Sequence, residues 1–146
     1  MELEDEKNNL ARVVDYKTGQ PDKHAKGIFE PESLESEECD GYLRQLVCYK
    51  LLYERDKTRQ DKNMVVSCGV LVFVEPAKKD LIKYGIKQGE PTEFKVELSE
   101  DMVDEMVSII KNTRSNIQNL HFEKLPERDK DKCGNCDFDH ICWGSF

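Results

Sequence analysis

Leu10-Ala11-Arg12-Val13-Val14-Asp15-Tyr16-Lys17-Thr18-Gly19 opens as a short apolar run and closes on an acid, a lysine and a glycine. The run reads as a buried strand over residues 10–17. An acid and a lysine two positions apart on a strand point to the same face. Asp15 and Lys17 therefore stand side by side at the strand's end, where Gly19 lets the chain turn. A carboxylate so placed is a ligand for Mg²⁺, and an ammonium beside it can orient a water or stabilise charge building on phosphorus. Asp-x-Lys alone is common among surface strand ends, so its meaning depends on what the rest of the chain places near it.

Outward from this strand, residues 1–9 are charged and read as a frayed end or as a hairpin turning at Asn8-Asn9. Residues 18–38, with Gly19, Pro21, Gly27, Pro31 and the acidic run Glu35 to Glu38, read as a long irregular loop. His24 lies within it and reads as an ordinary loop histidine. A helix is predicted over 40–55 with Asp40 as its N-cap. Tyr42, Leu46, Tyr49 and Tyr53 form one stripe and Leu43, Val47 and Leu51 the next, a broad apolar arc.

Residues 56–63 are a charged turn. Residues 64–74 are an almost unbroken apolar strand that fits a sheet covered on both faces. Residues 77–91 are basic and then punctuated by glycine and proline. Phe94, Val96 and Leu98 alternate with Lys95 and Glu97 as a half-exposed strand. Ser99 then caps a helix whose apolar face comprises Val103, Met106, Val107, Ile110 and Ile117. The domain reading is a core over 1–122 and a cysteine-containing segment of the same domain over 123–146.

Two further features bear on the strand end. Gln45 and Tyr49, inside the predicted helix, are four apart and share one helical face. Gln45 interrupts an apolar arc, and a buried amide needs a partner. Cys133-x2-Cys136-x5-Cys142 places three thiolates within ten residues, a donor set for zinc or an iron–sulfur cluster. His140 lies between the last two and could complete a Cys3His zinc site. Cys48 and Cys68 read as core residues, and Cys39 stands just before the helix.

Together, Asp15-Tyr16-Lys17-Thr18-Gly19, Gln45-x3-Tyr49 and the C-terminal cysteines resemble the RecB-like branch of the PD-(D/E)xK nucleases, which includes AddB-type nucleases and the C-terminal nuclease domains of UvrD-like helicases. The resemblance spans about Val13 to Cys142. It implies an α/β, restriction-endonuclease-like fold with a mixed central sheet flanked by helices. It implies Mg²⁺ or Mn²⁺ held by Asp15 and the backbone carbonyl of Tyr16, with Lys17 as the catalytic lysine and Gln45 and Tyr49 facing the site or the DNA.

The cysteine pattern implies a [4Fe–4S] cluster whose fourth ligand would precede Met1. This chain alone is then expected to hold zinc or nothing. Family members also carry an acid on the strand before Asp-Tyr-Lys. Glu2, Glu4 and Asp5 lie near that place but lack an apolar strand around them. The resemblance therefore implies the C-terminal portion of a domain incomplete at its N-terminus, with weak or no nuclease activity by itself. An open sheet edge there would suit a homodimer.

The implied function is cleavage of DNA, at single-stranded ends delivered by a helicase domain or subunit, in repair or recombination. The rival readings are a catalytically inactive nuclease-like module binding DNA or a partner, and a small zinc-stabilised interaction domain. The net charge of −8 argues against autonomous tight DNA binding, because phosphate contacts need a basic surface. No signal peptide or membrane-length apolar run is visible, and six cysteines without disulfide spacing suit a reducing compartment. A cytoplasmic chain with no membrane partner is expected.

Overall fold

The computed structural model describes residues 2–5, 8–58, 63–121 and 124–144. The chain divides into two compact units, Met1–Ile110 and Lys111–Phe146. The first is built on a four-stranded sheet in the order β1 (Glu2–Asp5), β2 (Leu10–Lys17), β3 (Val65–Phe73), β4 (Thr92–Glu97). β2 and β3 run parallel, whereas β1 pairs with β2 and β4 with β3 antiparallel. Parallel neighbours need a crossover, and α1 (Pro21–Phe29) and α2 (Gly41–Arg55) provide it.

Alternation along the strands sets the core. Ala11 and Val13 of β2, Val66, Leu71 and Phe73 of β3 and Phe94 of β4 are buried in one cluster with Ala25 and Ile28 of α1 and Leu43, Leu46, Val47 and Leu51 of α2. Gly69 is required where α2 crosses β3: a Cβ there would stand 2.7 Å from Leu46 Cδ1. Asp40 caps α2 as expected, its Oδ1 accepting from the Tyr42 amide at 2.8 Å. Register carries β2 and β3 to a common end, with Lys17 opposite Phe73 and the Val74 amide donating to the Lys17 carbonyl at 3.0 Å.

Three expectations are corrected. The irregular loop over 18–38 contains α1. Pro21 occupies the first turn, where its missing amide costs nothing, and Ala25 and Ile28 recur at helical spacing on the buried side. The prolines and glycines mark the ends of a helix there, not its absence. Second, Glu2–Asp5 do form a strand, with the turn at Asn8-Asn9 and Asn9 at φ 56°. An edge strand needs only one backbone partner and no apolar face of its own.

Third, the helix α3 (Glu100–Gln118) buries Val103 and Met106, and Val107 packs against the core, but Ile110 and Ile117 are exposed. Ser99 does stand at its start, its Oγ accepting from the Met102 amide at 3.3 Å. The charged turn predicted over 56–63 lies partly outside the described residues.

In the second unit, α4 (Lys130–Cys133) is capped by Asp129, whose Oδ1 accepts from the amides of Asp131 and Lys132. α5 (Asp139–Trp143) ends on Gly144 in the left-handed region. The Arg128 guanidinium forks onto both oxygens of Asp139 at 2.8 Å and holds that carboxyl below its usual range. No helix among the described residues is long and apolar enough to cross a membrane.

Candidate active site

The site stands where parallel β2 and β3 end, the position at which α/β sheets commonly bind ligands. Lys17 is its centre. Its Nζ donates to Gln45 Oε1 at 2.5 Å, lies 2.8 Å from Asp15 Oδ2 and sits 4.2 Å from the centroid of the Tyr42 ring. An acid two residues away, an amide on α2 and an aromatic face thus fix one ammonium from three sides. With Gln45 Oε1 committed to Lys17, Nε2 faces the other way and donates to the Tyr49 hydroxyl at 2.5 Å. The (i, i+4) spacing of Gln45 and Tyr49 is the geometry that allows this.

Asp15 is about one-fifth exposed and Lys17 less, so the pair is neither solvated nor sealed. Asp15 Oδ2 is buried and has no hydrogen-bond partner, because the Lys17 ammonium lies close to it but off the direction a hydrogen bond requires. A buried carboxylate oxygen left in that state is a costly arrangement, and a hard cation is what relieves it. The donor chemistry therefore fits a divalent metal, with Asp15 and the Tyr16 carbonyl as the ligands that sequence reasoning nominates. No group of three or more His, Cys, Asp or Glu residues among the described ones is placed to hold a metal.

β1 does not bring a second acid opposite Asp15. Glu2 pairs with Arg12, Leu3 with Ala11 and Asp5 with Leu10, so β1 covers the first part of β2 only. Continued along β2, that register places the position opposite Asp15 upstream of the first residue of this sequence.

Sequence reasoning passed over a second layer behind Lys17. His24, on α1, bonds through Nδ1 to Asp40 Oδ2 at 2.7 Å, while the other oxygen of Asp40 caps α2. The His24 ring lies 4.6 Å from Tyr42 and 5.9 Å from Phe73 between centroids. With α1 read as a loop, nothing in the sequence aimed this histidine. The helical spacing of Pro21, Ala25 and Ile28 was the signal that could have done so, since it fixes which side of the helix faces the sheet.

The cysteines divide differently. Cys39 and Cys68 are buried, and Cys48 packs against the core. Burial pushes the Cys39 and Cys48 thiols up, which makes both poor nucleophiles at neutral pH. In the second unit Cys133 is buried, Cys142 partly so, and Cys136 and His140 are exposed. The structure does not bring these four into a ligating group.

The family model of the PD-(D/E)XK nuclease superfamily matches residues 3–143. No curated protein and no solved structure gives a significant match. A family match across nearly the whole sequence, with Asp15-Tyr16-Lys17 at the strand end of a mixed, restriction-endonuclease-like sheet, makes this chain a member of the PD-(D/E)XK nuclease superfamily.

Proposed function

We propose that this chain supplies the working residues of a divalent-metal-dependent nuclease that hydrolyses DNA phosphodiesters, with Asp15, Lys17, Gln45 and Tyr49 in its site. The observation that supports this most is the convergence on Lys17 of Asp15 and Gln45 beside a buried, unpartnered carboxylate oxygen. Superfamily members typically use Mg²⁺ or Mn²⁺, and Asp15 with the Tyr16 carbonyl would hold it here. When bound, the ion neutralises phosphate charge and makes a water acidic enough to attack.

The chain's own contribution is orientation and charge. Lys17, fixed by Gln45 and Tyr42, offers its ammonium to a non-bridging phosphate oxygen, where negative charge grows as phosphorus takes on a fifth oxygen. Gln45 keeps that ammonium from turning wholly toward Asp15. Tyr49, half-exposed at the outer end of the network, presents its ring to the sugar–base side of a strand.

One carboxylate holds a divalent cation loosely. The reading therefore includes a second acid on a strand paired beside Asp15, contributed from outside these 146 residues, either upstream or by a second copy along the open edge of β2. It also includes a helicase partner that delivers single-stranded ends, a repair or recombination role and a cytoplasmic setting. These rest on the RecB-like motif combination. Cleavage by this chain alone is expected to be weak, abolished by EDTA, and raised when an acidic strand opposite Asp15 is supplied. The assay is end-labelled single- and double-stranded DNA in Mg²⁺ or Mn²⁺. Strand binding without cleavage under every one of these conditions would assign the inactive-module reading instead.

The cysteines belong to the same proposal. A [4Fe–4S] cluster takes four protein thiolates, and Cys133, Cys136 and Cys142 are three. The chain purified without oxygen is expected to contain no stoichiometric iron or sulfide, and at most zinc through those cysteines and His140. Elemental analysis checks this, and one cluster's worth of iron per chain would contradict it.

A further inference from the structure

Gly19 leaves a notch behind the Lys17 site. A Cβ built on it would stand 3.3 Å from His24 Nε2 and 3.6 Å from the Tyr42 hydroxyl. Two hydrogen-bonding atoms from two helices thus converge on the space that a side chain at residue 19 would take. Both are held from behind. His24 is anchored through Nδ1 to Asp40, which leaves Nε2 as its free end. Tyr42 is set by the His24 ring and by the Lys17 ammonium over its own ring. The His24 side chain is about one-quarter exposed, so the notch is reachable from solvent. Lys17 and Gly19 are two residues apart, which puts their backbones within about 7 Å.

We infer that the Gly19 notch is a phosphate-binding subsite, in which His24 Nε2 and the Tyr42 hydroxyl donate to the non-bridging oxygens of a phosphate on the nucleic-acid strand. It is a second phosphate position, beside the one engaged by Lys17. The chemistry suits the ligand: two N–H or O–H donors aimed at one point, with a fixed ammonium close by, are complementary to a phosphate's oxygens. Glycine at 19 is needed because the notch is the absent side chain. The subsite also gives an acidic chain a means of fixing strand register by geometry, where a basic surface is lacking.

The inference rests on the nuclease reading for its substrate, and its test is independent of cleavage. The imidazole nitrogens of the intact chain are followed by long-range ¹⁵N–¹H NMR without divalent metal. The chain has only three histidines, and His24→Gln identifies the signal. Three probes are titrated: the dinucleotide TpT, its 5′-phosphorylated form pTpT, and inorganic phosphate. A selective shift of His24 Nε2 is expected. Response to TpT assigns the notch to an internal phosphodiester; response to pTpT and inorganic phosphate alone assigns it to a strand's terminal phosphate. Either outcome supports the subsite.

Gly19→Ala fills the notch yet leaves the His24–Asp40 pair in place, so it separates ligand binding from any structural role of His24. It should weaken the responding probe about tenfold, as expected for losing a hydrogen bond to a charged group. Tyr42→Phe, which keeps the ring, should weaken it by a similar factor. A His24 signal unmoved by all three probes, or a Gly19→Ala chain that folds and binds as before, would overturn the subsite. The nuclease reading would then still stand or fall on the cleavage assay with Asp15 and Lys17.

Discussion

Asp15→Asn is expected to lower metal-dependent DNA cleavage by about three orders of magnitude, roughly 4 kcal/mol of transition-state stabilisation. The substitution keeps the shape of the side chain and removes its charge. Its effect on folding should be small, within about 1 kcal/mol, because the ion pair it breaks is partly solvated. Relieving the unpartnered Oδ2 may even offset that loss. Lys17→Ala should cost cleavage by a similar factor while strand binding persists through the rest of the site. Lys17→Arg should not rescue it: a planar guanidinium cannot keep one point charge at Gln45 Oε1, Asp15 and the Tyr42 ring together. The measurement is single-turnover cleavage of a labelled single strand, under the conditions that give the wild-type chain its highest rate, with melting curves run alongside. Wild-type rates in both Asp15→Asn and Lys17→Ala would falsify the assignment of these residues.

The elements that carried this site were legible where local pattern and tertiary demand agree. β2 and β3 are apolar enough to be strands between two covers, and α2 has a cap, a broad arc and a glutamine that had to find a partner. That partner is Lys17, and the (i, i+4) pair Gln45–Tyr49 extends the network outward. α1 was hidden because its punctuation residues are ambiguous: Pro21 starts a helix as readily as it ends one. With α1 went His24, whose aim depends on the helix turning it toward Asp40 and Tyr42. β1 was obscured for the opposite reason, since an edge strand is specified by backbone pairing and leaves little side-chain pattern to read. The exposed ends of the α3 stripe, Ile110 and Ile117, show that helical periodicity marks a potential face and not the length over which it is covered. Lys50 was read as a polar interruption of the α2 arc, yet it is among the most buried side chains in the protein.

Lys50→Met is expected to destabilise the fold by about 3 kcal/mol, a loss of roughly 10 °C in melting temperature for a chain of this size. The Lys50 ammonium reaches the Glu54 carboxylate at 2.9 Å, the Glu100 carboxylate at 2.8 Å and the Val66 carbonyl at 2.8 Å. Glu54 in turn accepts from the Val66 amide at 2.7 Å. One lysine thus ties α2 to the start of β3 and to the first turn of α3. Glu100 is mostly exposed, so its pair contributes little; the cost lies in Glu54 and the Val66 carbonyl, which methionine would leave without their donor. Burial pulls the Lys50 pKa down, and the hydrogen bonds to Glu100 and Glu54 outweigh it, so the folded value is raised. A raised lysine contributes stability that is complete below the unfolded value, about 10.4, and is lost as pH climbs through the folded one. The wild-type chain should therefore lose stability above about pH 10.4 more steeply than Lys50→Met does. Denaturant melts of Lys50→Met, Glu54→Gln and the double variant, at neutral and alkaline pH, separate the terms. A coupling of about 1–3 kcal/mol is expected for residues in one network. A Lys50→Met chain within about 0.5 kcal/mol of wild type, with no difference in alkaline slope, would show that the helix and sheet are held together by the apolar core alone.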